Sequence, residues 1–319
     1  DMAAIMYCRK IGLEVHISTQ LSISNAEALR FYSQFADVVV LARELNLDQV
    51  REIYDTIISE NICGPAGKPV RIEMFAHGAL CMAISGKCYL SLHSYGASAN
   101  RGACYQVCRR GYEVTDLETG NKLNIDNKYI MSPKDLCTIE FMDRIIESGV
   151  KVFKIEGRAR SAEYVKRCAS CYSRAAQAVC DGTYTPELAA SLKAELAEVF
   201  NRGFWDGYYQ GAYLGQWSDV YGSQATLKKV YCGKVTNWFD RIGVAEISVE
   251  SAPLHLGDRA MAIGATTGVV EFKVKDMRVN LNPAQQASKG VRCSVAVDPG
   301  ICPDGRLRRG DKIYIWQEK

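Results

Sequence analysis

Three features of the sequence predict an α/β fold. Short apolar runs alternate with amphipathic stretches over residues 1–160, each run ends in polar residues, and the pattern turns to period two from about residue 225. We read residues 1–224 as the C-terminal half of a TIM-like (β/α)8 barrel with trailing helices, and residues 225–319 as a small antiparallel β-barrel domain. A length of 319 residues fits two domains, and 48% hydrophobic with 24% charged residues excludes disordered and fibrous classes.

Strands are expected at residues 14–19, 37–44, 70–77 and 150–157. Helices are expected between them at 25–34, 47–60 and 133–148, the last with Ser132 as N-cap, Pro133 at the first helical position and Gly149 as its stop. Such alternation makes a parallel sheet with helical crossovers. Four strands are too few to close a barrel, and the chain starts at Asp1 on the approach to a helix, so a preceding N-terminal portion is expected. Two longer helices follow at 161–181 and 186–201, the first capped by Ser161 with Glu163 in its first turn. Past a Gly- and aromatic-rich connector at 203–211, six short strands are expected at 228–235, 242–249, 259–263, 268–274, 292–297 and 312–316. The turns Leu256-Gly257-Asp258 and Arg309-Gly310-Asp311 resemble those of barrel domains in translation factors, a likeness of fold only.

A net charge of +3 neither requires nor excludes a nucleic-acid partner. No run of 18 apolar residues is present, so no membrane-spanning helix is expected. The 13 cysteines are odd in number and follow no secretory leader, which disfavours a disulfide framework and points to the reducing cytoplasm. Cys8, Cys63, Cys168, Cys171, Cys180, Cys232, Cys293 and Cys302 read as small buried hydrophobes. The other five, Cys81, Cys88, Cys104, Cys108 and Cys137, crowd a stretch rich in Gly, Ser and Asn, where loops can place four soft ligands around zinc or an iron–sulfur cluster. Structural zinc favours two Cys-x2-Cys pairs, so the wider and irregular spacing here points to iron–sulfur. Cys108 can stand in for Cys104 or Cys137.

The stretch Glu73-Met-Phe-Ala-His-Gly-Ala-Leu-Cys-Met-Ala-Ile-Ser-Gly-Lys-Cys88 resembles the signature of the collagenase-like peptidase family U-32. His16-Ile-Ser-Thr-Gln20, Val40-Leu-Ala-Arg-Glu44, Asn100-Arg-Gly102 with Cys104, Ser132-Pro-Lys-Asp-Leu-Cys137 and Lys154-Ile-Glu-Gly-Arg158 support the likeness over residues 1–225. The resemblance implies a (β/α) barrel and a [4Fe-4S] cluster on Cys81, Cys88, Cys104 and Cys137. The branch with a small C-terminal barrel resembles tRNA hydroxylation proteins, which implies formation of 5-hydroxyuridine at the wobble position with prephenate or another small carboxylate as oxygen donor. Two other readings compete: a metal- or thiol-dependent peptidase, and a non-catalytic iron–sulfur scaffold. The sequence carries neither Gly-x-Ser-x-Gly nor His-Glu-x-x-His and has only four histidines, which weighs against proteolysis.

Polar residues at the carboxyl ends of the expected strands form the candidate pocket. His77, Glu73, Arg43, Glu44, Glu156 and Arg158 are the candidate catalytic residues, with His77 a proton shuttle. His16, Gln20, Lys154, Arg101 and Arg109 are the candidate substrate-binding residues. Arg43 with Glu156, or Glu44 with Lys154, could equally be structural ion pairs. For an RNA partner, Arg101, Arg109 and Arg110 with Tyr105 and Tyr112, then Arg158, Arg160, Lys166 and Arg167, offer cations for phosphate and rings for unpaired bases.

Overall fold

The structure, a computed structural model, describes residues 1–319 apart from 82, 85, 86, 126–131, 159, 213, 214 and 219–221. Met82, Ser85 and Gly86 of the cysteine signature thus lie outside the described residues. The chain forms two compact units: Asp1–Arg158, Cys168–Leu196 and Phe200–Gln224 make the first, and Ala159–Arg167, Ala197–Val199 and Ala225–Lys319 the second.

The first unit begins with α1 (Met2–Lys10), β1 (His16–Ile17), α2 (Ala26–Ser33), β2 (Val38–Val40), α3 (Leu47–Ser59) and β3 (Arg71–Ala79). β2 is three valines without exposed surface, the continuous apolar run that suits a parallel strand covered on both faces. α3 starts with a capping box between Asn46 and Gln49 and buries Leu47, Val50, Ile53 and Ile57, one stripe at helical spacing. Next come α4 (Leu90–Tyr95), the hairpin β4 (Tyr112–Thr115) and β5 (Lys122–Ile125), β6 (Asp135–Cys137), α5 (Met142–Glu147) and β7 (Val150–Ile155). α6 (Ala162–Cys180), of which residues 168–180 belong to this unit, α7 (Pro186–Ala197), all but its last residue, and β8 (Phe204–Trp205) complete the series.

β1, β2, β3 and β7 are parallel neighbours, β6 runs antiparallel to the end of β3, and β8 runs parallel to β6. The expected barrel does not close. Among the described residues the six strands form an open sheet, with β1 and β8 at the two ends of its path. The helix expected over 133–148 is also corrected. Backbone pairing holds this segment extended from both sides, with Asp135 N–H donating to Gly203 O and Thr138 N–H to Ala76 O, so only residues Met142–Glu147 coil. The Ser132-Pro133 capping signal thus loses to tertiary pairing. Gly149 does stop that helix, at φ +97° with the Tyr54 ring packed where a Cβ would stand.

One irregularity decides where the site residues point. In the β3–β7 ladder Glu73 faces Val152, Phe75 faces Lys154 and His77 faces Ile155, so two residues of β3 oppose one of β7 beyond Phe75. Side chains alternate along a strand, so this β-bulge leaves Glu73 and Phe75 on the Lys154 face and turns His77 to the other.

The second unit contains β9 (Leu227–Phe239), β10 (Val244–Val249), β11 (Leu254–His255), β12 (Arg259–Gly264), β13 (Gly268–Lys273), β14 (Met277–Val279), β15 (Asn282–Pro283), β16 (Gln286–Ala287), β17 (Arg292–Ala296) and β18 (Lys312–Glu318). Eight of them form one antiparallel sheet in the order β13-β12-β18-β9-β10-β17-β14-β15, and β11 pairs with β16. Among the described residues this path is also open, whereas six strands closed into a barrel were expected. Val235, Ile247, Val270, Val295, Ile313 and their neighbours form its core, which includes the thiols of Cys232, Cys293 and Cys302.

Gly78 ends the bulged segment at φ +115°, and a Cβ there would stand 2.6 Å from Glu156 O. Gly78→Ala is expected to destabilise the protein by about 2 kcal/mol or more, read as a fall in Tm. An unchanged Tm would show that the β3–β7 contact is looser than described.

Candidate functional site

The Glu73 carboxylate is the centre of one face of the sheet. Its side chain is only 7% exposed and lies between His16, whose Nδ1 is 2.8 Å from Oε2, and Lys154, whose Nζ is 3.3 Å from Oε1. The Phe75 ring lies two residues on along the same strand, with Lys154 Nζ at 5.4 Å and the Arg43 guanidinium at 5.8 Å from its centroid. Tyr209 donates its hydroxyl to Phe75 O at 2.9 Å, and burial holds this phenol protonated against the nearby Arg43 charge. Arg43 Nη2 donates to Ala83 O at 3.4 Å, which joins this face to the loop between Cys81 and Cys88. His16, Arg43, Glu73 and Lys154 therefore come together as expected for a polar pocket beside the cysteine segment. Gln20, Glu44 and Arg158 are exposed. Glu156 is half-buried and accepts from the Arg158 N–H at 2.8 Å, a local turn bond.

His77 does not join them. The bulge directs it to the opposite face, where it is 1% exposed, with Nδ1 3.3 Å from the Tyr172 hydroxyl and the Phe204 ring at 5.7 Å. Tyr172 also donates to Ala76 O, accepts from Thr138 N–H and lies 3.7 Å from Cys137 Sγ. A side chain so enclosed is poorly placed to exchange protons with a ligand on the Glu73 face. Cys137 and Phe204 also border a cavity of about 380 Å³ with Glu140, Arg144, Lys193 and Trp205.

The cysteines divide in the same way. Cys81 and Cys104 are exposed, Cys88 and Cys108 half-buried. Burial pushes the Cys108 thiol up, the Arg109 charge opposes this, and Cys81, Cys104 and Cys88 each add like-charge repulsion to it. Cys137 stands apart. The antiparallel ladder pairs it with His77, while Leu80, next to Cys81, approaches Pro133 at the far end of β6. Burial pushes its thiol to about 11. Of the four ligands expected from resemblance, Cys81, Cys88 and Cys104 act on the Cys108 thiol, whereas Cys137 lies with His77 and Tyr172.

Arg109 is engaged, not offered to a substrate. Its guanidinium donates to Leu80 O at 2.7 Å, to Ser132 Oγ at 3.2 Å and to Pro133 O at 3.3 Å. Lys166 and Arg167, expected to track phosphate, bond within the second unit to Val269 O and to Glu198 with Glu271. Arg101 and Tyr105 remain exposed, and Arg110 stacks on Tyr95. Sequence reasoning missed Tyr172, Tyr209 and the buried pair of Arg202 with Asp135. Phe75 could have been found from its strand parity with Glu73, whereas nothing local marks a tyrosine within α6.

A model of peptidase family U32 matches residues 1–218. A collagenase of Porphyromonas gingivalis is 59% identical over 98% of this chain and 75% of its own length. The tRNA hydroxylation protein P1 of Bacillus subtilis is 34% identical over 70% of this chain and 52% of its own. The 23S rRNA 5-hydroxycytidine C2501 synthase of Escherichia coli is 36% identical over 64% of this chain and 30% of its own. No helix among the described residues is long and apolar enough to cross a membrane.

Cys180, expected to be buried, is exposed like Cys81 and Cys104 because it ends α6. With a chelator present and the protein reduced at pH 8, an alkylating reagent is expected to modify Cys81, Cys104 and Cys180 first and to spare Cys137, Cys232 and Cys293. Thiols at about 11 to 12 are almost wholly protonated at that pH, and burial also blocks approach. Raising the pH toward 10 increases the thiolate fraction, so any reaction at these three accelerates. Equal rates at Cys81 and Cys137, followed by mass spectrometry of peptides, would contradict the placement of Cys137.

Proposed function

The chain belongs to peptidase family U32, and on that premise we propose that it is an iron–sulfur RNA-hydroxylation protein. What carries this reading is that Cys81, Cys88 and Cys104 all act on the Cys108 thiol, and that Arg43, beside the Phe75 ring, binds Ala83 O between Cys81 and Cys88. Among the described residues no three His, Cys, Asp or Glu groups surround a point suited to one metal ion. A cluster asks instead for four thiolates that each meet a different iron, and the thiols that act on Cys108, together with Cys108 itself, number four. Cys81, Cys88, Cys104 and Cys108 would hold a [4Fe-4S] group. Such a group supplies one-electron redox chemistry when bound.

The chain's own residues account for the remaining tasks. Lys154 and Arg43 offer two cations to a carboxylate donor such as prephenate, or to a phosphate. Phe75 gives the ring of an unpaired base a surface to stack on. In the balanced step a donor D–OH of the small-carboxylate class gives its oxygen to the ring and is reduced by two electrons to D–H, while Glu73, held between His16 and Lys154, is placed to take the proton of the broken C–H bond at Oε1 or Oε2 and pass it on, with His16 connecting it to solvent. Relatives named for tRNA and rRNA hydroxylation support an RNA partner, and wobble uridine is the finer assignment we adopt.

Proteolysis is the second reading, favoured by the name of the relative at 59% identity. Among the described residues Cys137 and His77 are both contacted by the Tyr172 hydroxyl, which stands between them. Burial raises that thiol, the opposite of the activation a nucleophile needs, and encloses the imidazole.

Expression in cells deleted for their own RNA-hydroxylation proteins tests the choice. Nucleoside mass spectrometry should show a pyrimidine bearing one added oxygen, reduced about 100-fold in Glu73→Gln. Absence of that nucleoside, together with gelatin cleavage that persists in Cys108→Ser, would overturn the reading in favour of a peptidase.

A further inference from the structure

We propose that Arg202 and Arg109 are positioning residues that set the geometry of the Cys104–Cys108 loop, an inference that rests on the cluster reading above. Gln106 is the midpoint of that loop and adopts the left-handed conformation at φ 52°, which a residue with a Cβ takes up only when its surroundings hold it there. Arg202 provides the hold. Its Nη2 donates to Gln106 Oε1 at 2.8 Å, its Nη1 to Asp135 Oδ1 at 3.3 Å, and the guanidinium stacks on Phe200 at 5.1 Å.

The Arg202 side chain is 11% exposed and that of Asp135 1%. An enclosed ion pair of this kind is weak as a source of stability, since desolvation offsets most of its attraction, and apolar residues of equal volume commonly do as well. What the other arm of the fork reaches is the turn between two thiols, through Gln106 Oε1. Arg109 makes the matching tie from the other side. It belongs to the turn that carries Cys108 and binds the carbonyls of Leu80, adjacent to Cys81, and of Pro133. Two arginines thus lock the segments around residues 80, 106–109 and 133–135 into one arrangement, each using the planar, multi-donor geometry that lysine lacks. Outer partners of this kind, rather than the ligands themselves, fix where thiolates point.

The test measures iron and sulfide per chain after anaerobic reconstitution, the rate of cluster bleaching by a chelator, and Tm. Three variants are compared with the whole chain: Gln106→Met, which removes only the acceptor; Asp135→Leu with Arg202→Met, which leaves no buried charge unpaired; and Arg109→Lys. Each should melt close to the parent while losing its cluster about 10- to 100-fold more readily. Arg202→Lys, which keeps the charge but not the fork, should fall between parent and double variant. A parent that binds no iron would remove the cluster reading and this inference with it. A parent that binds a cluster, with Gln106→Met bleaching at the parental rate, would overturn the positioning role alone.

Discussion

The β-bulge beyond Phe75 governs this molecule's chemistry, because it decides which side of the sheet each polar residue of β3 can serve. Glu73, Phe75 and His77 share a parity that regular pleating would keep on one face. One extra residue against β7 breaks that parity: Glu73 and Phe75 meet His16, Arg43 and Lys154, while His77 closes against Tyr172 and Phe204. Gly78, at a φ open to glycine, lets the strand regain contact with Glu156 immediately afterwards. A polar cluster and an enclosed aromatic one thereby lie on opposite faces of the same nine-residue strand.

The thiol loops inherit their order from this arrangement. β3 delivers Cys81 and Cys88 past its end, β6 pairs beside that end, and Arg109 ties the two together through backbone carbonyls. Because β6 is antiparallel, its own cysteine is carried away from the cluster of thiols and toward His77. Cys137 becomes a protonated, buried group beside a cavity instead of a surface ligand. From beyond α7 a second guanidinium, that of Arg202, reaches back to Gln106.

Much of the first unit was legible before the fold was known. Apolar runs such as Val38-Val39-Val40 and capped stripes such as Leu47–Ser59 are local signals, and they fell where expected. The strand at Asp135–Cys137 was not legible, because Ser132 and Pro133 read as a helix start and only the partners Gly203 and Ala76 reveal the pairing. Nor could spacing alone choose between Cys108 and Cys137, which are separated by a ladder direction. The pocket was half legible: polar residues at strand ends identified His16, Arg43, Glu73 and Lys154, but period-two reasoning carried His77 along with them, blind to one inserted residue. Arg109 was visible as a cation and misread as a free one, since its acceptors are carbonyls 24 and 29 residues away in sequence.

The most direct measurement is iron and acid-labile sulfide per chain, with the visible spectrum, for anaerobically purified parent, Cys108→Ser and Cys137→Ser. The account predicts about four of each in the parent, loss of the cluster in Cys108→Ser, and retention in Cys137→Ser. Retention in Cys108→Ser with loss in Cys137→Ser, or a single zinc in the parent, would contradict it.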